Sequence, residues 1–398
     1  MAEPAAAPFK LVALLTALVA FGPISTDLYL ASLPDMARYF ATDVPTVQLT
    51  LSAFLAGFAL AMPVYGPLSD RFGRRPVILA GTALYLAASL FCMAAPSIGL
   101  LIAGRFLQAL GACCGPVVGR AVVRDLFPRE QAAKVMSYMA SAMALAPFAA
   151  PIAGGWFQAW FGWRANFALL TLFGAVLLLA VWRLLVETNR HPDAAALQPL
   201  AMLGNYAALL RDRLVLGYVL TVALCFAGMF TFISASSFVL IQVLHLPARH
   251  FGFGFAVVIG GYILGGLAAG RLTARVGLDR MVAAGCVVAV AAGALMAALA
   301  WAGMVSLPAV LAPMSLFFFG CALALPNSTA GAIAPYPRMA GSASALLGFI
   351  QMSAGSVAGW AVARLFDGTP RPLAGLVLLL GLAAAAAFFV LVRGARRA

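Results

Sequence analysis

Charge is what this sequence has least of. Only 9% of its 398 residues are Asp, Glu, Lys or Arg, against roughly 25% in a soluble domain. Such a chain cannot clothe a water-facing surface, and its mean hydropathy of +1.02 points the same way. Soluble enzyme, secreted module and disordered chain are excluded. Histidine is nearly absent, with three residues, all in loops or at the ends of apolar runs. The six cysteines lie inside apolar runs without metal-ligand spacing, and vicinal Cys113-Cys114 stands among small residues suited to close helix packing. Neither a metal site nor a disulfide is expected. No Walker A or other nucleotide-binding motif is present, so no cofactor is expected and any work must draw on an ion gradient.

What remains is a succession of apolar runs of about 20 residues, each long enough to cross a hydrocarbon core of roughly 30 Å. They fall near 11–30, 46–67, 76–95, 98–120, 132–155 and 164–185, then near 214–243, 251–273, 281–302, 308–330, 340–364 and 373–392. Lys10 before the first run resembles the start of a signal peptide, but the run continues past Phe21 without a small-x-small cleavage site. The expected fold is an all-α membrane protein of twelve transmembrane helices. A polar stretch with Pro192, Asp193, Pro199 and Asn205 separates the sixth from the seventh, with a short surface helix expected near 200–210. This division gives an N-terminal six-helix bundle at 1–186, a linker at 187–213 and a C-terminal bundle at 214–398.

The 25 basic residues outnumber the 12 acidic ones, a formal charge of +13. They are scattered between spans and form no continuous basic face, so nucleic acid is not a partner. One side of the membrane collects Lys10, Arg71, Arg74, Arg75, Arg124, Arg129, Lys134, Arg183, Arg190, Arg211 and Arg213. To the same side belong Arg271, Arg275, Arg280, Arg338, Arg393, Arg396 and Arg397, whereas the other holds Arg38, Arg164, Arg249, Arg364 and Arg371. By the positive-inside rule the linker and both termini are expected in the cytoplasm.

The two halves repeat. Gly66-Pro67-Leu68-Ser69-Asp70-Arg71-Phe72-Gly73-Arg74-Arg75 follows the second span, and Gly270-Arg271-Leu272-Thr273-Ala274-Arg275-Val276-Gly277-Leu278-Asp279 follows the eighth. Gly, Leu, hydroxyl, Arg and Gly recur at one spacing, 204 residues on (270 minus 66). An offset of six spans gives both halves the same orientation, the arrangement of two bundles that rock about a central site.

The segment Gly66–Arg75 resembles motif A of the major facilitator superfamily, with a degenerate second copy at 270–279. Arg105-x-x-Gln108-x-x-Gly111-Ala112 resembles motif B of its drug/proton antiporters. Pro147 with Ala150-Pro151-x-x-Gly154-Gly155 resembles their motif C. Asp27-Leu28-Tyr29-Leu30 with Pro34, Ile233-Ser234-Ala235-Ser236 with Phe238, and Gly341-Ser342-Ala343-Ser344-Ala345-Leu346 are similar to the Bcr/CflA-type multidrug exporters. Ala31, Ala109 and Ser237 depart from that subfamily's usual Pro, Gly and Pro. The resemblance implies two pseudo-symmetric six-helix bundles and a monomer in a bacterial inner membrane. It further implies export of small hydrophobic or cationic drug-like molecules, such as chloramphenicol- or bicyclomycin-like compounds, in exchange for protons.

Asp27 is the only carboxylate inside an expected span, about 17 residues or some 25 Å beyond Lys10. An acid at such depth ordinarily faces an aqueous cavity and has a task. Burial favours its protonated form and a neighbouring cation its ionised form, as a proton-coupling site requires. Arg105 is read as the only cation well inside a span. It keeps its proton, so its expected parts are to tune Asp27 or to hold polar substrate groups. Gln108 shares its face one turn on. Candidate cavity residues are Tyr29, the Phe54-Phe58-Met62 and Phe226-Phe230 series at helical spacing, and the isolated polar Asn327 and Gln351.

The resemblance assigns gating to Gly66, Asp70, Arg71, Gly73, Arg74 and Arg75, which would latch the cytoplasmic side. In the second copy Ala274 replaces Asp70, so the latch would be asymmetric. It assigns to Pro147, Pro151, Gly154 and Gly155 a kinked, tightly packed helix that prevents leaks. A membrane enzyme would need clustered His, Cys or carboxylates at one interface, and a sensor would need a signalling domain; neither is present. An uptake symporter or a metabolite exporter is the rival reading.

Overall fold

The computed structural model describes residues 9–190, 192–193 and 199–395. Arg396, Arg397 and part of the expected linker lie outside the described residues. Eleven described helices are long and apolar enough to cross a membrane, and a bent pair, Phe9–Val19 with Phe21–Tyr39, makes a twelfth. The bend is 46°. The first span therefore runs nine residues past the expected end at Leu30 (39 minus 30) and is broken into Phe21–Asp27, a turn at Leu30–Ser32, and Leu33–Tyr39. Its second half is an apolar but interrupted rod, with Pro23 and Pro34 removing backbone donors.

The other spans are Val44–Phe72, Arg74–Ala94, Ile98–Leu126, Arg129–Phe161 and Trp163–Leu184 in the first half. In the second they are Arg213–Val243, Ala248–Val276, Leu278–Trp301, Leu307–Ile333, Ala340–Leu365 and Arg371–Val392. Polar caps open several of them. Asp43 accepts from Thr46 N at 3.0 Å, and Asp212 from Leu214 N at 2.8 Å. A linker helix covers Pro199–Arg211, close to its expected place.

The repeat read in sequence has a backbone counterpart. Gly73 (φ 95, ψ 156) and Gly277 (φ 90, ψ 151) each end one span and start the next, in a region of φ that only glycine enters without strain. Packing follows the same offset. The second span packs on the fourth, and the third on the fourth and sixth; likewise the eighth packs on the tenth, and the ninth on the tenth and twelfth. Between the halves the second span meets the eleventh and the fifth meets the eighth, pairs that exchange when the halves are exchanged. This is the symmetry of parallel repeats about an axis along the membrane normal.

The halves touch closely at the end away from the arginines. Gln48 Nε2 donates to Ser234 O at 2.9 Å and Ser356 Oγ to Ser52 O at 2.8 Å. A methyl on Gly155 would stand 2.6 Å from Ala248 O, and one on Gly252 would overlap the backbone of Ile152. Nearer the middle, Gly355 packs on Leu55 and Gly348 on Met62. Toward the basic end, the positions of a Cβ on Gly66, Gly266, Gly270 and Gly341 have no heavy atom within 4 Å. The inter-half contacts named above thus lie at the end away from the arginines and at mid-span.

Candidate functional site

Arg105 lies wholly buried in the fourth span. Its guanidinium donates to Gln108 Oε1, and Nη2 donates to the Ser25 carbonyl at 2.8 Å. Gln108 Nε2 donates to Ser89 Oγ (2.7 Å), which donates in turn to Tyr85 O (2.7 Å). Tyr85 OH and Ser25 Oγ share a bond of 2.8 Å. The chain of bonds thus closes on itself across the first, third and fourth spans. Three rings complete the enclosure, with the guanidinium carbon 4.5 Å from the centroid of Tyr29, 4.4 Å from Phe54 and 5.9 Å from Phe167. Cation–π attraction strengthens in such dry surroundings. Nε of Arg105 is left without a partner. Tyr29 is pinned as well: Thr50 Oγ1 gives its proton to Val47 O (2.7 Å), so Tyr29 OH donates to Thr50 (2.9 Å).

Asp27 ends the helix Phe21–Asp27 at the break in the first span. It is 3% exposed, and Thr26 Oγ1 donates to its Oδ1 at 3.0 Å. Among the described residues it forms no ion pair. The expected partnership of Arg105 with Asp27 is therefore not made in this conformation: the arginine reaches the carbonyl of Ser25, two residues earlier. The residue after Asp27 meets motif C. A Cβ on Gly154 would overlap the Leu28 carbonyl, and Asn166 Nδ2 ties Ser32 Oγ (2.8 Å) to Gly154 O (3.3 Å). Gly154 thus faces the helix break while Gly155 and the backbone at Pro151-Ile152 face Ala248 and Gly252 of the other half. Pro147 and Pro151 stand inside one continuous helix.

The aromatic candidates are inside the protein and not on lipid. Phe54 and Phe58 are buried, the latter against Gly22, and Phe230 is buried, stacked on Phe226 at 6.2 Å and set against Gly359. Asn327 is occupied elsewhere. It accepts from Thr273 Oγ1 (3.1 Å) and donates to Leu323 O (2.8 Å), which joins the eighth and tenth spans. Gln351 is half-buried in the eleventh span.

At the basic end, Asp70 pairs with Arg74 of its own half, and Arg74 Nε also holds Asp125 at 3.0 Å. A Cβ on Gly66 or Gly341 would meet open space, while Ala343 and Leu346 of the same segment are buried. Arg71 stacks on Phe72 (5.2 Å), and Arg75 Nη2 donates to Trp182 O at 3.0 Å. Sequence reasoning missed the partner that organises this turn. Glu187 accepts from Arg74 N (2.9 Å), Arg75 N (3.1 Å), Thr188 N (2.9 Å) and Asn189 N (2.8 Å), capping the third span. Partial burial pushes its carboxyl up, but these backbone donors outweigh it and hold it below its ordinary 4.5. Thr188 Oγ1 donates to Asp125 (3.1 Å) and Asn189 Nδ2 to Asp70 O (2.8 Å). The only local signal is an acid immediately after an apolar span.

Arg120 is the second residue missed, and it corrects the reading of Arg105 as the only intramembrane cation. The fourth span runs to Leu126 instead of ending near 120, which places Arg120 inside it. It is exposed there, as is Arg124 one turn on.

A repeated bundle of membrane spans with a broken first helix and charges buried within it is the architecture of a membrane transporter. The family model of the Major Facilitator Superfamily matches residues 13–359. The chain belongs to that superfamily, a multi-pass family of transporters and not of enzymes. It is 31% identical over 342 residues to Multidrug resistance protein D of Escherichia coli (strain K12), covering 86% of this chain and 85% of that protein. It is 29% identical over 351 residues to the Bicyclomycin resistance protein homolog of Haemophilus influenzae, covering 88% of each. The fold matches the D-xylose-proton symporter (TM-score 0.77, 14% identity, 96% of this chain and 98% of that one). It also matches a partially occluded inward-open xylose transporter, XylE of E. coli (TM-score 0.74, 13% identity, 96% of each).

Proposed function

We propose that this chain is a proton-coupled exporter of small hydrophobic, drug-like compounds, working as a monomer in a bacterial inner membrane. Residues 1–186 and 214–398 act as the two rocking bundles, joined by the linker at 187–213, and the arginine-rich end faces the cytoplasm. The observation that carries the reading is Asp27: a buried carboxyl with no ion pair among the described residues, at a helix break that motif C packs directly against. The printed names of the two relatives, a multidrug and a bicyclomycin resistance protein, support the same direction.

In the cycle that follows, a compound entering from the cytoplasmic side separates the buried Tyr29, Phe58 and Phe230 from their neighbours, beside half-buried Gln351, and Asp27 gives up its proton. Closure of the basic end, with Asp70 and its arginines meeting the other half, and opening of the far end expose Asp27 to the acidic side. Reprotonation there displaces the compound. Arg105 and Gln108 fix the first and fourth spans around Asp27 and do not carry protons, since a guanidinium keeps its own.

Purified protein in proteoliposomes tests direction. Chloramphenicol is expected to accumulate when the lumen is made acid, and a protonophore is expected to abolish the accumulation. Accumulation only with an acid exterior would overturn export in favour of symport.

A further inference from the structure

From Cys114 to Val123 every residue of the fourth span is buried except half-buried Val117 and exposed Arg120. The first, second, third and fifth spans all pack on this part of the helix. Val117, Arg120 and Arg124 fall at i, i+3 and i+7, on the single stripe these neighbours leave uncovered. An arginine on lipid at this depth is costly, which argues that the stripe is turned toward the space between the halves and away from the hydrocarbon.

The direction of the side chain separates two readings of Arg120. An arginine serving topology alone stretches toward the nearer water interface. Arg120 does the opposite: its Nε donates at 2.6 Å to the carbonyl of Pro116, four residues closer to the membrane centre. Neither Arg120 nor Arg124 has a carboxylate within ion-pair distance among the described residues. Asp125, the acid nearest in sequence, is taken by Arg74 and Thr188. Arg105 cannot meet a ligand in this state, being wholly buried.

We propose that Arg120, backed by Arg124 at the rim, is the recognition site for the negatively charged group of the transported compound. Amphiphilic organic anions and zwitterions, with an acidic group and an apolar body, are then the preferred charged substrates, and simple lipophilic cations are not. This rests on the transporter reading above and narrows its substrate class.

The test is binding of three probes that share one fluorophore: dansylglycine (anion), dansylamide (neutral) and dansylcadaverine (cation). They are titrated against the full-length protein in nanodiscs of zwitterionic lipid. Wild type is expected to bind dansylglycine at least about tenfold more tightly than dansylcadaverine, the scale of one charge-assisted hydrogen bond. Arg120→Gln is expected to lose that preference while binding dansylamide as wild type does, which shows the variant folded. Arg120→Lys is expected to retain part of it. Equal affinities in wild type and Arg120→Gln, a wild-type preference for the cation, or no binding of any probe would each overturn the proposal. So would displacement of dansylglycine by phosphatidylglycerol added to the nanodisc, which would assign the arginines to a lipid headgroup. Failure of the exporter reading is seen separately, as absence of chloramphenicol accumulation driven by a pH gradient.

Discussion

A guanidinium shut away from water ordinarily needs a carboxylate, and Arg105 has instead two oxygen acceptors, a closed ring of hydrogen bonds and three aromatic faces. That arrangement depends on the planar fork, so Arg105→Lys is expected to destabilise the protein by about 2 kcal/mol, read as a lowered unfolding midpoint. Glu187 makes a different prediction at the same scale. Its carboxyl is held below 4.5, so the capping bonds contribute fully above that pH and are lost as pH falls through the lower, folded-state value. Glu187→Ala is expected to melt roughly 2–4 °C below wild type at pH 7. The gap should close progressively in acid below 4.5. A gap independent of pH would show that the charge has no part in it.

Among the elements, the fifth span packs against both the break beside Asp27 and the other half. Gly154 touches the carbonyl that follows Asp27, and Gly155 touches the other half. Gly154→Val would drive a branched side chain into a backbone carbonyl, which cannot rotate away. We expect a cost of about 3 kcal/mol and loss of transport. Gly66→Val, beside open space in this state, should leave stability within about 0.5 kcal/mol of wild type. Comparing the melting of the two variants checks the contrast.

The elements also divide what sequence discloses from what it does not. Span number, the repeat and the two glycine turns were legible because lipid admits only long apolar helices and because φ near 90° demands glycine. Asp27 and Arg105 stood out as charges that a span tolerates only for a reason. Their surroundings did not. The aromatic box comes from the first, second and sixth spans, and no local spacing announces such a meeting. Asn327 looked like a cavity amide because an isolated polar residue in a span invites that reading, yet its bonds close a helix pair. Arg120 stands where the apolar run ends, although the helix continues six residues further to Leu126 (126 minus 120), so hydropathy alone sets it at a boundary.

At the scale of the whole molecule, the end away from the arginines is held by contacts that recur in symmetry-related pairs of spans. Ser52 on the second span and Gly359 on the eleventh approach so closely that a Cβ on Gly359 would stand 3.2 Å from Ser52 Oγ. Oxidising Ser52→Cys paired with Gly359→Cys is expected to link the two halves and stop transport, with recovery on reduction. Transport that persists in the linked protein would show that this end need not open.

The central claim is that Asp27 carries the proton that drives export. In energised everted membrane vesicles, a fluorescent pH probe reports proton efflux as chloramphenicol is added. Efflux in wild type that falls to the level of vesicles lacking the protein in Asp27→Asn is the expected result. Undiminished drug-dependent efflux in Asp27→Asn would contradict it and return Asp27 to a residue that merely ends a helix.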